Sequence, residues 1–158
     1  VNKFDPKNFK DVAAECPGFQ ARVTARAITR YYNACFKPLG LTAEQFSLLV
    51  GVGTNPGTTL IDLALSSGVD ATTLSRNIQN LELRELVRAE GGRGRSGKRL
   101  NLSPAGQDLL MKAFPIWKSA KTELSHQMGS EQLVTTTQIM AELAKAAALA
   151  QDSNISQA

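Results

Sequence analysis

Hydrophobic positions recur with a helical period along most of this chain and with a period of two in only one short stretch. Residues 1–15 are polar, with Phe4, Phe9 and Val12 scattered among them, and Pro17-Gly18 reads as a break. From Phe19 the positions Val23, Ala27, Ile28, Tyr31, Tyr32 and Cys35 follow at steps of three and four, which predicts a helix ending at Gly40. Thr42-Ala-Glu-Gln45 has the spacing of a capping box and introduces a second helix with Phe46, Leu48, Leu49 and Val52. Asn55-Pro56-Gly57 is a loop signal.

The stretch TTLIDLALSSGVDATTLSRNIQNLELRELV predicts two short helices with a tight turn between them. The first carries Leu60, Leu63 and Ala64, and Gly68 stands where a helix ends in a left-handed residue. Asp70 is a good N-cap for the second. Leu74, Ile78 and Leu81 fall at i, i+4 and i+7, so one face is apolar, while Thr72, Thr73, Arg76, Gln79 and Asn80 point away from it. Two short helices joined by a glycine-containing turn make a helix-turn-helix pattern.

LVRAE then reads as a strand and the alternating RLNLS as its return, with EGGRGRSGK at the tip of the hairpin. Ser103-Pro104 opens a further helix with Leu109, Leu110, Ala113, Trp117 and Ala120, which Pro115 is expected to bend. Gly129-Ser130 breaks it, and a last helix holds Leu133, Ile139, Met140, Leu143, Ala147 and Ala148. The expected fold is mostly α with a small β-hairpin wing: a winged helix-turn-helix lobe at 54–103 between helices at 1–53 and 104–158. Those outer helices carry more apolar surface than one small lobe covers, which predicts a helical dimerisation domain built from two chains.

Charge sharpens this picture. The 158 residues carry a formal net charge of +4, a mild bias toward anionic partners. The bias is local: five cations lie between Arg88 and Arg99, opposed only by Glu90. Exposed guanidinium groups on a glycine-rich hairpin suit phosphates or a narrow minor groove, and neutralised phosphates release counterions. A bare loop of this kind is also what a solvated hairpin tip looks like; its place after a helix-turn-helix favours DNA. Cys16 and Cys35 are too few for a disulfide scaffold and too far apart for a metal or redox pair, which fits a reducing, cytoplasmic setting. No apolar run suits a membrane span or a signal peptide. Single His126 has no second ligand spaced to share a metal, no catalytic grouping or nucleotide loop is present, and no cofactor is expected.

In three stretches, ARAITRYYNACFKPLGLTAEQFSLL, VDATTLSRNIQNLELRELV and KRLNLSPAGQDLL, the chain resembles the MarR family of bacterial transcription regulators. The likeness runs from about Cys16 to the final helix. It implies a two-fold dimer with outer helices as the seam, pseudo-palindromic double-stranded DNA as partner, and repression relieved by a small aromatic or anionic effector or by an oxidant. Two departures stand out. Family wings commonly carry an Asp-x-Arg shortly before the second strand; here Gly94 and Ser96 take those places, and Arg95 or Arg93 would serve instead. In the hydroperoxide-sensing branch the reactive cysteine would align with Gly18; Cys16 is two residues short, although Tyr32 matches a tyrosine that accompanies it.

The candidate DNA-contacting residues are therefore Thr72, Thr73, Ser75, Arg76, Gln79 and Asn80 on the recognition helix, with Arg93, Arg95 and Lys98 on the wing. Arg pairs with guanine, Gln or Asn with adenine, and Thr meets a phosphate or a thymine methyl. Arg22, Arg26, Tyr32 and Phe46 are candidates for an effector site, against a reading in which the arginines form a solvated stripe and the rings pack the core. Cys16 is a candidate redox switch. Two alternatives stay open beside a ligand-responsive repressor: a thiol-oxidation sensor, and a winged-helix module that binds a protein instead of DNA.

Overall fold

The computed structural model describes residues 4–92 and 97–155. Seven α-helices and three short strands follow in the order α1 (Val12–Glu15), α2 (Pro17–Phe36), α3 (Ala43–Thr54), β1 (Thr58–Thr59), α4 (Leu60–Ser67), α5 (Ala71–Leu83), β2 (Val87–Glu90), β3 (Arg99–Leu102), α6 (Pro104–Met128) and α7 (Ser130–Ile155). Contacts divide the chain into two compact units, Val1–Ile116 and Trp117–Ala158, with the boundary inside α6 one residue after Pro115. The helix is continuous through Pro115.

Local chemistry sets the boundaries in the first unit. α2 begins at Pro17 and not at Phe19, because proline at the first helical position loses only an amide that would lack a partner anyway. Its last residues tighten into a 3-10 turn, Lys37–Leu39, and Gly40 closes it at φ 62°. The capping box of α3 is complete: Thr42 Oγ1 accepts from the Gln45 amide at 3.1 Å, and Gln45 Oε1 accepts from the Thr42 amide at 3.1 Å. Gly68 ends α4 at φ 67°.

The sheet is three-stranded, in the order β1-β3-β2 and antiparallel throughout, where the sequence predicts a two-stranded hairpin. Thr58 and Thr59 pair with Leu100 and Arg99, and the same Thr59 caps α4 by accepting from the Asp62 amide. A two-residue strand that merges into a helix cap leaves no period to read. In β2 and β3, Val87 and Leu100 are buried on one face, while Arg88, Glu90 and Arg99 are exposed on the other.

The core of this unit gathers Phe36, Leu49, Val52, Leu74, Ile78, Leu81 and Leu100, each almost wholly buried. Burial of each such side chain stabilises the fold by roughly 1.5–3 kcal/mol. α5 packs on α3, α4 and β2 through Leu74, Ile78 and Leu81, the stripe expected from the spacing. The junction from α5 to β2 turns on Glu85, a non-glycine residue at φ 56°. Buried Ser103 holds that turn: its hydroxyl donates to the Glu85 carbonyl, accepts from the Gly106 amide at 3.0 Å, and its own amide donates to the Leu86 carbonyl at 3.0 Å.

In the second unit, Gly129 at φ 95° separates the end of α6 from α7, and Ser125 and Ser130 join hydroxyls across it at 2.8 Å. Of the apolar positions expected on α7, Leu133 is half-buried, whereas Ile139, Met140 and Leu143 are exposed on the single chain.

Gly106 lies so close to the Leu86 backbone that an added Cβ would collide with its carbonyl oxygen. Gly106→Ala should therefore destabilise the fold by about 3 kcal/mol, the upper range for overpacking, read as a lowered urea midpoint at unchanged slope.

Candidate nucleic-acid interface

Asp70 fixes where the second helix of the helix-turn-helix begins. Its carboxylate accepts from the Thr72 amide at 3.1 Å and the Thr73 amide at 2.9 Å. These hydrogen bonds, chiefly those from Thr73, hold the Asp70 carboxyl below the usual aspartate range. With its apolar stripe buried, α5 turns Thr72, Thr73 and Arg76 to solvent, with Ser75 and Gln79 half-buried at the margin. Thr72, Ser75, Arg76 and Gln79 line one groove of about 580 Å³ with Leu60, Ile61 and Ala71. Ile61, exposed on α4, was not predicted as part of this surface; no spacing within α4 indicates which of its sides α5 will flank.

The wing base joins the same surface. A recess of about 100 Å³ between α5 and the sheet is lined by Ser75, Gln79, Glu82, Ala89 and Lys98, which places Lys98 beside two of the candidate recognition residues. Arg93 and Arg95 lie outside the described residues. Arg99 lies at the foot of the wing, where its guanidinium donates to the Gly57 carbonyl at 3.1 Å and ties β3 to the loop before β1.

Asn80 is exposed, but its amide oxygen accepts from Gln45 Nε2 on α3 at 3.2 Å, at the edge of the face and away from the groove. The residues proposed for an effector sit elsewhere. Arg22 and Arg26 are exposed on α2. Tyr32 stacks on Phe36 at 6.0 Å between ring centres, and Phe36 on buried Phe46 at 4.5 Å, with Tyr31 edge-on to Tyr32. Burial and, second, neighbouring Cys35 raise the Tyr32 hydroxyl above the usual tyrosine range. Cys16 is half-buried at the N-cap of α2, and both cysteines are free thiols. Among the described residues there is no His, Cys, Asp or Glu cluster able to hold a metal, and no helix is long and apolar enough to cross a membrane.

A capped helix-turn-helix followed by an antiparallel sheet with a basic hairpin defines a winged helix-turn-helix. Residues 39–96 match the MarR family model. The M. tuberculosis transcriptional regulator MosR is 31% identical, with a TM-score of 0.76 over 85% of this chain and 97% of that one. A structure of MosR in complex with DNA is 32% identical, with a TM-score of 0.75 over 84% and 96%. The repressor CouR bound to a DNA duplex shares the fold at 20% identity, with a TM-score of 0.76 over 90% and 99%. A search of curated proteins found no match. The chain belongs to the MarR family of DNA-binding transcriptional regulators.

Because the folded Asp70 carboxyl titrates below its unfolded value, its share of stability is complete above the ordinary value of 3.8 and is lost as pH falls through the folded value. Asn also caps helices but does not ionise in this range. Wild type should therefore melt above Asp70→Asn at neutral pH, and the gap should shrink below pH 3.8, read from paired thermal melts across pH.

Proposed function

We propose that this protein is a homodimeric, ligand-responsive repressor that reads a pseudo-palindromic operator with one α5 per subunit. The observation that carries the reading is the solvent-facing surface of α5, where Thr72, Arg76 and Gln79 share one groove and Lys98 of the wing base flanks Ser75 and Gln79. Thr72, Thr73 and Ser75 at the helix start suit a phosphate or a thymine methyl; Arg76 and Gln79 suit base edges in the major groove. Arg93, Arg95 and Lys98 would neutralise backbone charge beside it. MosR and CouR, both found bound to DNA, support this assignment.

Dimerisation is supported by the apolar side chains left exposed at both ends of the chain, among them Phe19 and Val23 on α2 and Ile139, Met140 and Leu143 on α7. A second subunit covers such surface and sets the separation of the two recognition helices. An effector acts by binding better to a dimer in which that separation is wrong. A small aromatic or anionic molecule held near Arg22, Arg26 and Tyr32 is the effector class proposed; the structure of CouR bound to p-coumaroyl-CoA, which carries an aromatic ring and anionic phosphates, supports that chemistry. Oxidation of Cys16 is the competing trigger, favoured by its partial exposure at a helix N-cap. A Cys16→Ser protein that still responds to peroxide removes it.

Arg76→Ala should cost about 1–3 kcal/mol of discrimination at one base pair, whereas Arg95→Ala should weaken all sequences alike and lower the salt slope by about one. Titration of selected and scrambled duplexes over a range of salt separates the two. Met140 and Leu143 changed together to glutamate should yield monomers by sedimentation and lose high-affinity operator binding.

A further inference from the structure

The first turn of α3 carries more hydrogen bonds than its own cap requires, and the extra ones reach the recognition helix. Gln45 Oε1, already bonded to the Thr42 amide, also accepts from Arg84 Nη1 at 3.2 Å, while Gln45 Nε2 donates to Asn80 Oδ1 at 3.2 Å. Next to it, Glu44 Oε1 accepts from Asn77 Nδ2 at 2.7 Å. Asn77 and Asn80 of α5 and Arg84 at its C-cap are spaced by three and four, so they form a second stripe along the helix. That stripe lies between the buried leucine-isoleucine side and the groove-lining side. On the other flank of α3, the Ala43 amide donates to Asn33 Oδ1 of α2 at 2.7 Å.

An apolar stripe alone resists separation of two helices better than it resists rotation of one about its axis, because dispersion contacts are non-directional. Hydrogen bonds are directional and fix that rotation. We propose that Glu44 and Gln45 are positioning residues for DNA recognition. They set the roll of α5 so that Thr72, Arg76 and Gln79 face the duplex, and Asn77 and Asn80 serve this clamp instead of reading bases. The Ala43–Asn33 hydrogen bond ties the same turn of α3 to α2. This inference rests on α5 being the helix that enters the DNA.

The test is a double-mutant cycle on the ratio of affinities for a duplex selected by the wild-type protein from a randomised pool and for a scrambled duplex of equal length. A phosphate-driven contribution cancels in that ratio, and general loss of stability does not change it for the folded fraction. Asn80→Ala should lower the ratio about fivefold in the wild-type background and less than about twofold in Gln45→Ala, as expected of residues acting as one unit. Gln45→Glu should restore the wild-type ratio, since a carboxylate keeps both acceptor roles and the Asn80 amide can rotate to donate. Glu44→Ala with Asn77→Ala provides the same cycle with the capping box intact, should Gln45→Ala fold poorly. Equal losses in both backgrounds, or no loss from any of these variants, overturn the clamp. Arg76→Ala distinguishes the underlying reading: if it keeps the wild-type ratio, α5 is not the reading helix, whatever the cycles return.

Discussion

Leu74, Ile78 and Leu81 bury one side of α5 against α3, α4 and β2, and every other feature of the DNA-binding lobe is arranged around that contact. A helix of thirteen residues is marginal in water by itself, so its existence depends on this packing and on the Asp70 cap. The same contact decides which residues remain outside. The groove over Thr72, Arg76 and Gln79 is the side of the helix that the core does not claim.

The lobe holds α5 at both ends by different means. Asp70 ties its first turn to its own backbone, and Ser103 ties the turn that follows it to the start of α6 through Glu85, Leu86 and Gly106. Arg99 donates to the Gly57 carbonyl, and Thr59 belongs to a strand and caps a helix at once, so the wing base and α4 are joined over very few residues.

Much of this was legible from spacing because the signals are local. Caps at Thr42 and Asp70, the left-handed glycine at 68 and the 74/78/81 stripe each lie within one turn or one helix, and each stands where the sequence predicts it. What was illegible depends on two elements meeting. β1 exists only because β3 lies beside it, Ile61 joins the groove only because α4 flanks α5, and the partners of Asn77, Asn80 and Arg84 come from the crossing of α3 and α5. Asn80 illustrates the limit: periodicity assigns it to the outer side, and nothing short of the α3 packing reveals that its amide is already bonded. Pro17, expected to interrupt, begins a helix because a proline's meaning changes with its position in the first turn.

The division of α5 into a buried and an open side bears on which exchanges the helix tolerates. Thr72 and Arg76 are exposed, so exchanging them leaves Leu74, Ile78 and Leu81 packed, and the outward surface of the helix can change without unpacking the interior that holds it.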